Sequence, residues 1–243
     1  MDALAPQADS EIRRHTLAGP MLVTGGSSGL GRSVVEALAV AGATPIVLDV
    51  REPEDGEVEF EAVDLADARA AEEAVRSAAE RHGGLAAVVT AAGIDACGKL
   101  EDVEAEAWDR VVRVNLLGTA AVVRGALPYL RESGGKIVTV ASTLGLRTLS
   151  DASAYCASKF GVVGFTRALM LELAGDVGVT LLVPGGMRTS FFDGREEKYK
   201  PPPDMEMNDP ANVAAAIVFA LAQPRGCEIR ELVVTPSVEP SWP

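Results

Sequence analysis

The feature that most constrains this chain is an alternation of short apolar runs with helical stretches. PMLVT, TPIVLDV, VEFEAVDLAD, LAAVVTAAG, KIVTVAS, VTLLV and IRELVV read as seven strands, separated by segments whose apolar residues recur at helical spacing. Strands joined through helices cannot form hairpins; they run parallel, each crossover laying a helix on one face of the sheet. The expected architecture is α/β, a doubly wound parallel seven-stranded sheet with helices on both faces. No composition break divides residues 19–243, which read as a single domain behind a polar N-terminal arm, residues 1–18. The segment from 104 to 133 reads as one long helix. Residues 186–209 are too long and too mixed for a plain connection, and they stand as a candidate substrate lid.

The first strand runs into TGGSSGLG, with Gly25, Gly29 and Gly31 between it and a helix carrying Leu30, Val34, Val35 and Leu38 at helical spacing. Glycines let a backbone turn tightly and approach a pyrophosphate, while the helix N-terminus offers free amides and a positive dipole end. Close packing alone also uses glycine. Its place after the first strand of a repeated βαβ pattern is the context that a Rossmann-type dinucleotide fingerprint requires. Asp49 ends the second strand about twenty residues further on, where a carboxylate can accept bonds from ribose hydroxyls. Arg51 is the counterweight, since an arginine there can hold a 2′-phosphate. Asp64 can approach the adenine ring or stand solvated at a strand end.

Tyr155 and Lys159 are four residues apart in the helical run ASAYCASKFGVVGFTRALMLEL, which places them on one helix face. A phenol near its reference value of about 10 is a poor acid or base at neutral pH, and a neighbouring cation favours the phenolate. Ser142 ends the strand KIVTVAS, and the carboxyl ends of such strands are where ligands gather. The three residues together suit proton transfer to a carbonyl oxygen.

The balance of 35 acidic against 22 basic residues gives a formal charge of −13, which repels nucleic acid and anionic membranes. No apolar run reaches a membrane span, and the acidic N-terminus lacks the apolar core of a signal peptide, so the expected location is cytoplasmic. Cys97, Cys156 and Cys227 are widely spaced, and His15 and His82 stand alone, so neither a disulfide nor a metal site is expected.

In order and spacing these motifs resemble the short-chain dehydrogenase/reductase family, in its short single-domain branch, over roughly residues 19–235. The resemblance rests on Thr24-Gly25-x-x-x-Gly29-x-Gly31, Asn115 in VNLLGT, Ser142, Tyr155-x-x-x-Lys159, and Pro184-Gly185 with Thr189. It implies that Tyr155 is the acid/base, that Ser142 bonds the substrate oxygen, that Lys159 binds nicotinamide ribose and tunes Tyr155, and that Asn115 anchors a water in a proton relay. Ser27, Ser28, Leu30, Val50, Asp64, Leu65, Ala91, Gly93, Pro184 and Gly185 would complete the cofactor surface, with Met187 and Thr189 facing the carboxamide. Where the family usually carries Asn-Ala-Gly after the fourth strand, this chain has Ala91-Ala92-Gly93, losing an amide that helps tie the central strands. The C-terminal stretch IRELVVTPSVEPSWP looks like that of family members acting on small hydroxy acids.

The expected activity is NAD(H)-dependent interconversion of a secondary alcohol, or a 3-hydroxy acyl compound or acid, with its ketone. NADP(H) is the alternative cofactor, and a catalytically silent nucleotide-binding regulatory or structural protein the alternative function. Leu144, Leu146, Leu149, Met187, Phe191 and Phe192 are candidate walls for a small-molecule substrate, and Arg188 or Arg195 a candidate carboxylate anchor. Ala120, Val123, Ala126, Phe160, Val163, Phe165 and Leu169 suggest a second apolar stripe and a homo-oligomer; the resemblance makes it a homotetramer.

Overall fold

A computed structural model describes residues 17–54, 56 and 58–242. Most of the proposed N-terminal arm therefore lies outside the described residues. Its last part is tied down: Leu17 is buried and its N–H donates to Ala41 O at 2.9 Å.

Seven parallel strands form a single sheet in the order β3-β2-β1-β4-β5-β6-β7. They are β1 (Pro20–Thr24), β2 (Thr44–Asp49), β3 (Glu59–Ala62), β4 (Ala87–Thr90), β5 (Lys136–Val140), β6 (Gly178–Pro184) and β7 (Glu231–Val234). The helices are α1 (Gly29–Val40), α2 (Ala68–Arg81), α3 (Ala105–Val112), α4 (Thr119–Ser133), α5 (Ser153–Glu172) and α6 (Pro210–Leu221). Alternate residues along each strand feed two cores. Leu22, Ile46, Leu48, Val88, Ile137 and Leu181 pack under α2, α4 and α5, while Val23, Val47, Val89, Val138 and Leu182 pack under α1 and α6. Burial on both faces is why the central strands read as unbroken apolar runs.

β3 is shorter than the run VEFEAVDLAD suggests, because it is an edge strand paired over four residues with β2. Beyond it the chain turns at once, the Asp64 carboxylate accepting from Ala66 N at 2.9 Å. The long helix read over 104–133 is divided: α3 and α4 are joined by a π-helical segment, Arg113–Gly118. A stretch of Ala105–Ser133 is apolar and long enough to cross a membrane by composition, yet 56% of it is buried within the fold, as a core helix requires. The second apolar stripe is also smaller than expected. Val123, Ala126, Val163 and Leu169 are buried inside the chain, whereas Phe160 and Leu117 stay 43% and 50% exposed.

Strand order reverses between β1 and β4, so their following loops diverge to opposite faces and open a crevice at the carboxyl edge. Thr24, Asp49, Thr90, Val140 and Pro184 end their strands at that edge.

Candidate active site

A cleft of about 1700 Å³ runs along this edge. At one end lies the turn after β1. Gly25 has φ +70° and a Cβ there would stand 2.8 Å from Ala92 Cα; a Cβ on Gly31 would stand 2.1 Å from Gly25 O. The turn thus presses against both its own helix and the loop after β4, which only hydrogen side chains allow. Ser28, Gly29, Leu30 and Gly31 line the cleft, with Val50, Leu65, Ala91 and Gly93 opposite. Asp49 binds the turn directly, its carboxylate accepting from Ser27 N at 3.1 Å and from Arg51 N at 3.2 Å. Ser27 itself turns outward, donating its hydroxyl to Arg51 O, and does not line the main cleft. Asp64 lines the cleft but is already paired with Arg110 at 2.9 Å; the Ala66 amide and Arg110 hold its carboxyl below the usual range. Backbone amides, a strand-end carboxylate and a groove narrowed by missing side chains fit a dinucleotide.

At the cleft's other end Ser142, Tyr155 and Lys159 come together. α5 carries Tyr155 and Lys159 on one face, with Lys159 Nζ 5.6 Å from the Tyr155 ring centroid. Lys159 is 4% exposed, donates to Val140 O at 2.9 Å, and is pushed down to about 8 by burial. The expected lowering of the Tyr155 phenol by this lysine is corrected by the structure. Burial dominates and pushes the phenol up to about 12, with the Ser142 hydrogen bond acting the other way. The Lys159 ammonium, 5.6 Å from the ring centroid and bonded to Val140 O, does not offset the desolvation of a phenolate. Ser142 Oγ also accepts from Leu144 N at 3.1 Å, which fixes its side chain at the end of β5.

Asn115 sits behind this wall rather than in the cleft. Its side chain accepts from Ile94 N at 2.8 Å and donates to Ile94 O at 2.8 Å and to Ser158 Oγ at 3.0 Å. With Thr24 Oγ1 accepting from Ala92 N at 3.2 Å, it ties down the loop that lacks the usual asparagine. The π-helical segment is what turns Asn115 toward that loop; insertion of an extra residue per turn re-aims side chains in this way.

The model of the short chain dehydrogenase family matches residues 20–200. The chain belongs to that family. Mouse L-fucose dehydrogenase is 32% identical over 239 residues, covering 90% of this chain and 88% of the relative. An uncharacterized oxidoreductase of Staphylococcus aureus strain MW2 is 30% identical over 227 residues, covering 88% and 96%. Among solved structures, the ligand-free aldohexose dehydrogenase of Thermoplasma acidophilum superposes with a TM-score of 0.81 at 25% identity, covering 90% of this chain and 92% of that one. The protein is accordingly an oxidoreductase of the short-chain dehydrogenase type.

In this short-chain dehydrogenase the segment after β6 closes over the tyrosine. Gly185, Met187 and Thr189 line the cleft beside Pro184, and Phe191 packs on Tyr155 with ring centroids 5.6 Å apart. Phe192 stands edge-on to Phe191 at 5.4 Å, and Leu144 completes the wall. Leu149 lines the rim, 63% exposed, whereas Leu146 packs into the core instead of the cleft. Of the two candidate carboxylate anchors, Arg188 is exposed away from the cleft and donates to Met207 O at 3.2 Å, while Arg195 lines the cleft and is paired with Asp95 at 2.9 Å.

Sequence reasoning missed Asp95, Cys97, Asp151, Glu239 and Ser241, all of which line the cleft. Asp151 has φ +61°, the one left-handed non-glycine among the described residues. Glu239, beyond β7, accepts from Gly186 N at 2.8 Å and from Ser241 Oγ at 2.6 Å; Ser241 Oγ in turn meets Thr143 Oγ1 at 2.6 Å. Only Asp95 carried a signal, its position two residues past Gly93. Nothing local marks a tail that returns from the far edge of the sheet.

Proposed function

We propose that this oxidoreductase interconverts a secondary alcohol and its ketone, with NAD(H) preferred over NADP(H). The observation that carries the reading is that Tyr155, Ser142 and Lys159 share one cleft with the glycine turn and Asp49. When bound, the nicotinamide dinucleotide supplies or accepts the hydride. Tyr155 exchanges the proton on the substrate oxygen; with its phenol pushed up to about 12 it carries that proton at neutral pH and stands ready to donate it to a carbonyl. Ser142 Oγ bonds the same oxygen and orients it. Lys159 Nζ, held by Val140 O, would hold the nicotinamide ribose and pass protons toward Tyr155. Asn115 positions the loop at Ile94 and, through Ser158, α5 itself.

Asp49 supports NAD(H), because a carboxylate accepts from both ribose hydroxyls and repels a 2′-phosphate. A charge-assisted bond of about 1.5–3 kcal/mol gives a preference of roughly ten- to hundredfold. Residues 186–209 act as the lid over the substrate. The exposed Phe160 and Leu117 support a homotetramer in which α5 and the π-helical segment Arg113–Gly118 pack against a second copy.

The test is a screen of secondary alcohols with NAD and with NADP, followed at the reduced-nicotinamide absorbance band, on the wild type, Tyr155→Phe and Asp49→Ala. Turnover by the wild type, a fall of about 10²- to 10⁴-fold in Tyr155→Phe, and loss of the NAD preference in Asp49→Ala are expected. More than about a tenth of the rate in Tyr155→Phe would remove the tyrosine from the chemistry. Equal or better use of NADP by the wild type would give the pocket to Arg51.

A further inference from the structure

Beside the phenol of Tyr155 lies a charge pair that the hydride reaction does not need. Asp95, on the loop after β4, is 8% exposed at its side chain, and Arg195, a hundred residues later in the 186–209 segment, is 16% exposed. The Arg195 guanidinium donates to Asp95 Oδ2 at 2.9 Å and lies over two aromatic rings, 4.9 Å from the Phe191 centroid and 4.6 Å from that of Phe192. Asp95 is held by two further donors. Its Oδ1 takes the Ala96 N–H at 2.7 Å, and its Oδ2 also takes the Cys97 thiol at 3.3 Å. The pair therefore joins the segment that covers the cleft to the loop at its base, and it seats the Phe191 ring on Tyr155.

Two consequences follow from charge and geometry. The mostly buried guanidinium gives Nη2 to the carboxylate and Nη1 to Tyr199 O at 3.4 Å and has two aromatic rings against it, so an incoming anion must compete with Asp95 for this cation. A substrate carboxylate entering beside Tyr155 finds the Asp95 carboxylate already seated on Arg195 and Glu239 in the same cleft, so its desolvation is not repaid by this guanidinium unless it displaces Asp95. A neutral substrate meets the Phe191 face and hydroxyl or carboxylate acceptors, which suit an apolar ring bearing hydroxyl donors.

Resting on the alcohol and ketone reading above, we propose that the Asp95–Arg195 pair determines substrate class: it seats the aromatic cover on Tyr155 and restricts the site to neutral alcohols and ketones, excluding carboxylates. The residues of this pair act on specificity, and their two charges bear on the Tyr155 phenol in opposite senses, Asp95 raising it and Arg195 lowering it.

A matched pair of probes tests this, cyclohexanone and 4-oxocyclohexanecarboxylate, on the wild type, Asp95→Asn and Arg195→Met. The wild type is expected to reduce the neutral ketone with at least tenfold higher kcat/KM. Asp95→Asn frees Arg195 from its carboxylate, and the preference should move at least tenfold toward the carboxylate, the change in preference lying in KM because the lost charge beside Tyr155 affects kcat for both probes alike. Arg195→Met keeps the stem on the rings but leaves Asp95 uncompensated, so discrimination against the carboxylate should grow at least threefold; this variant carries the test should Asp95→Asn fail to fold. An unchanged ratio in the folded variants, or a wild type that prefers the carboxylate, overturns the proposal. Dissociation constants for both probes, measured calorimetrically with reduced cofactor present, must show the same shifts. A wild type that binds the neutral probe selectively yet turns over neither would sink the alcohol and ketone reading while leaving the role of the pair intact.

Discussion

Replacing Gly31 with alanine tests whether the turn after β1 is as tightly built as its geometry implies. The added Cβ would stand 2.1 Å from Gly25 O, 2.5 Å from Gly25 C and 3.0 Å from Gly26 N, all backbone atoms. Ordinary contact for a carbon lies near 3.5 Å, so the turn must move by about 1 Å. It has little room to do so. Gly25 N donates to Leu48 O at 2.9 Å, and on its other side Gly25 already presses on Ala92. Forced overpacking costs about 1–3 kcal/mol, and stretching the bond to Leu48 adds about 1 kcal/mol, giving about 2–4 kcal/mol in total. For a chain of this size that lowers the thermal midpoint by roughly 5–15 °C. Gly93→Ala is the control. Its Cβ meets Lys159 Nζ at 3.6 Å and Asn115 Oδ1 at 3.7 Å, ordinary contacts, so its midpoint should hold within about 2 °C. Differential scanning calorimetry on both variants decides the matter, and a Gly31→Ala midpoint within about 2 °C of wild type would refute the reasoning.

Lys159, pushed down to about 8 from an ordinary 10.5, should titrate near pH 8 in the folded chain without cofactor, read from the chemical shift of its ε-carbon; a midpoint near 10.5 would show that burial does not govern it. Because the folded state then binds fewer protons than the unfolded state between those values, this group adds stability as pH rises from about 8 to 10.5, a rise that Lys159→Met should remove. Glu239→Ala should free the Gly186 amide, and since a bond to a charged acceptor is worth about 1.5–3 kcal/mol, its hydrogen-exchange protection should fall about 10- to 100-fold; unchanged protection would detach the tail from the site. Light scattering at micromolar concentration should give a tetramer mass, which Phe160→Glu should lower; a wild-type mass of one chain would remove the proposed contact.

The sequence by itself determined the sheet, because a period of two buried on both faces leaves an unmistakable apolar run. It also determined the placement of the glycine turn, Asp49, Ser142, Tyr155 and Lys159. Each of these sits within a few residues of a strand end or on one helix face, so local spacing suffices to locate it. What tertiary structure alone decided depends on contacts between distant segments. The division of the 104–133 helix by a π-helical segment goes with the bonds of Asn115 to Ile94, a long-range pairing that helical periodicity does not report. The sign of the shift at Tyr155 follows from its burial in the closed fold and not from its lysine neighbour four residues on. Asp95 meets Arg195 across a hundred residues, and Glu239 returns to Gly186 across 53. Pattern along the chain encodes which face a residue takes, whereas the charge and shape of a pocket depend on which loops the closed sheet brings to one edge.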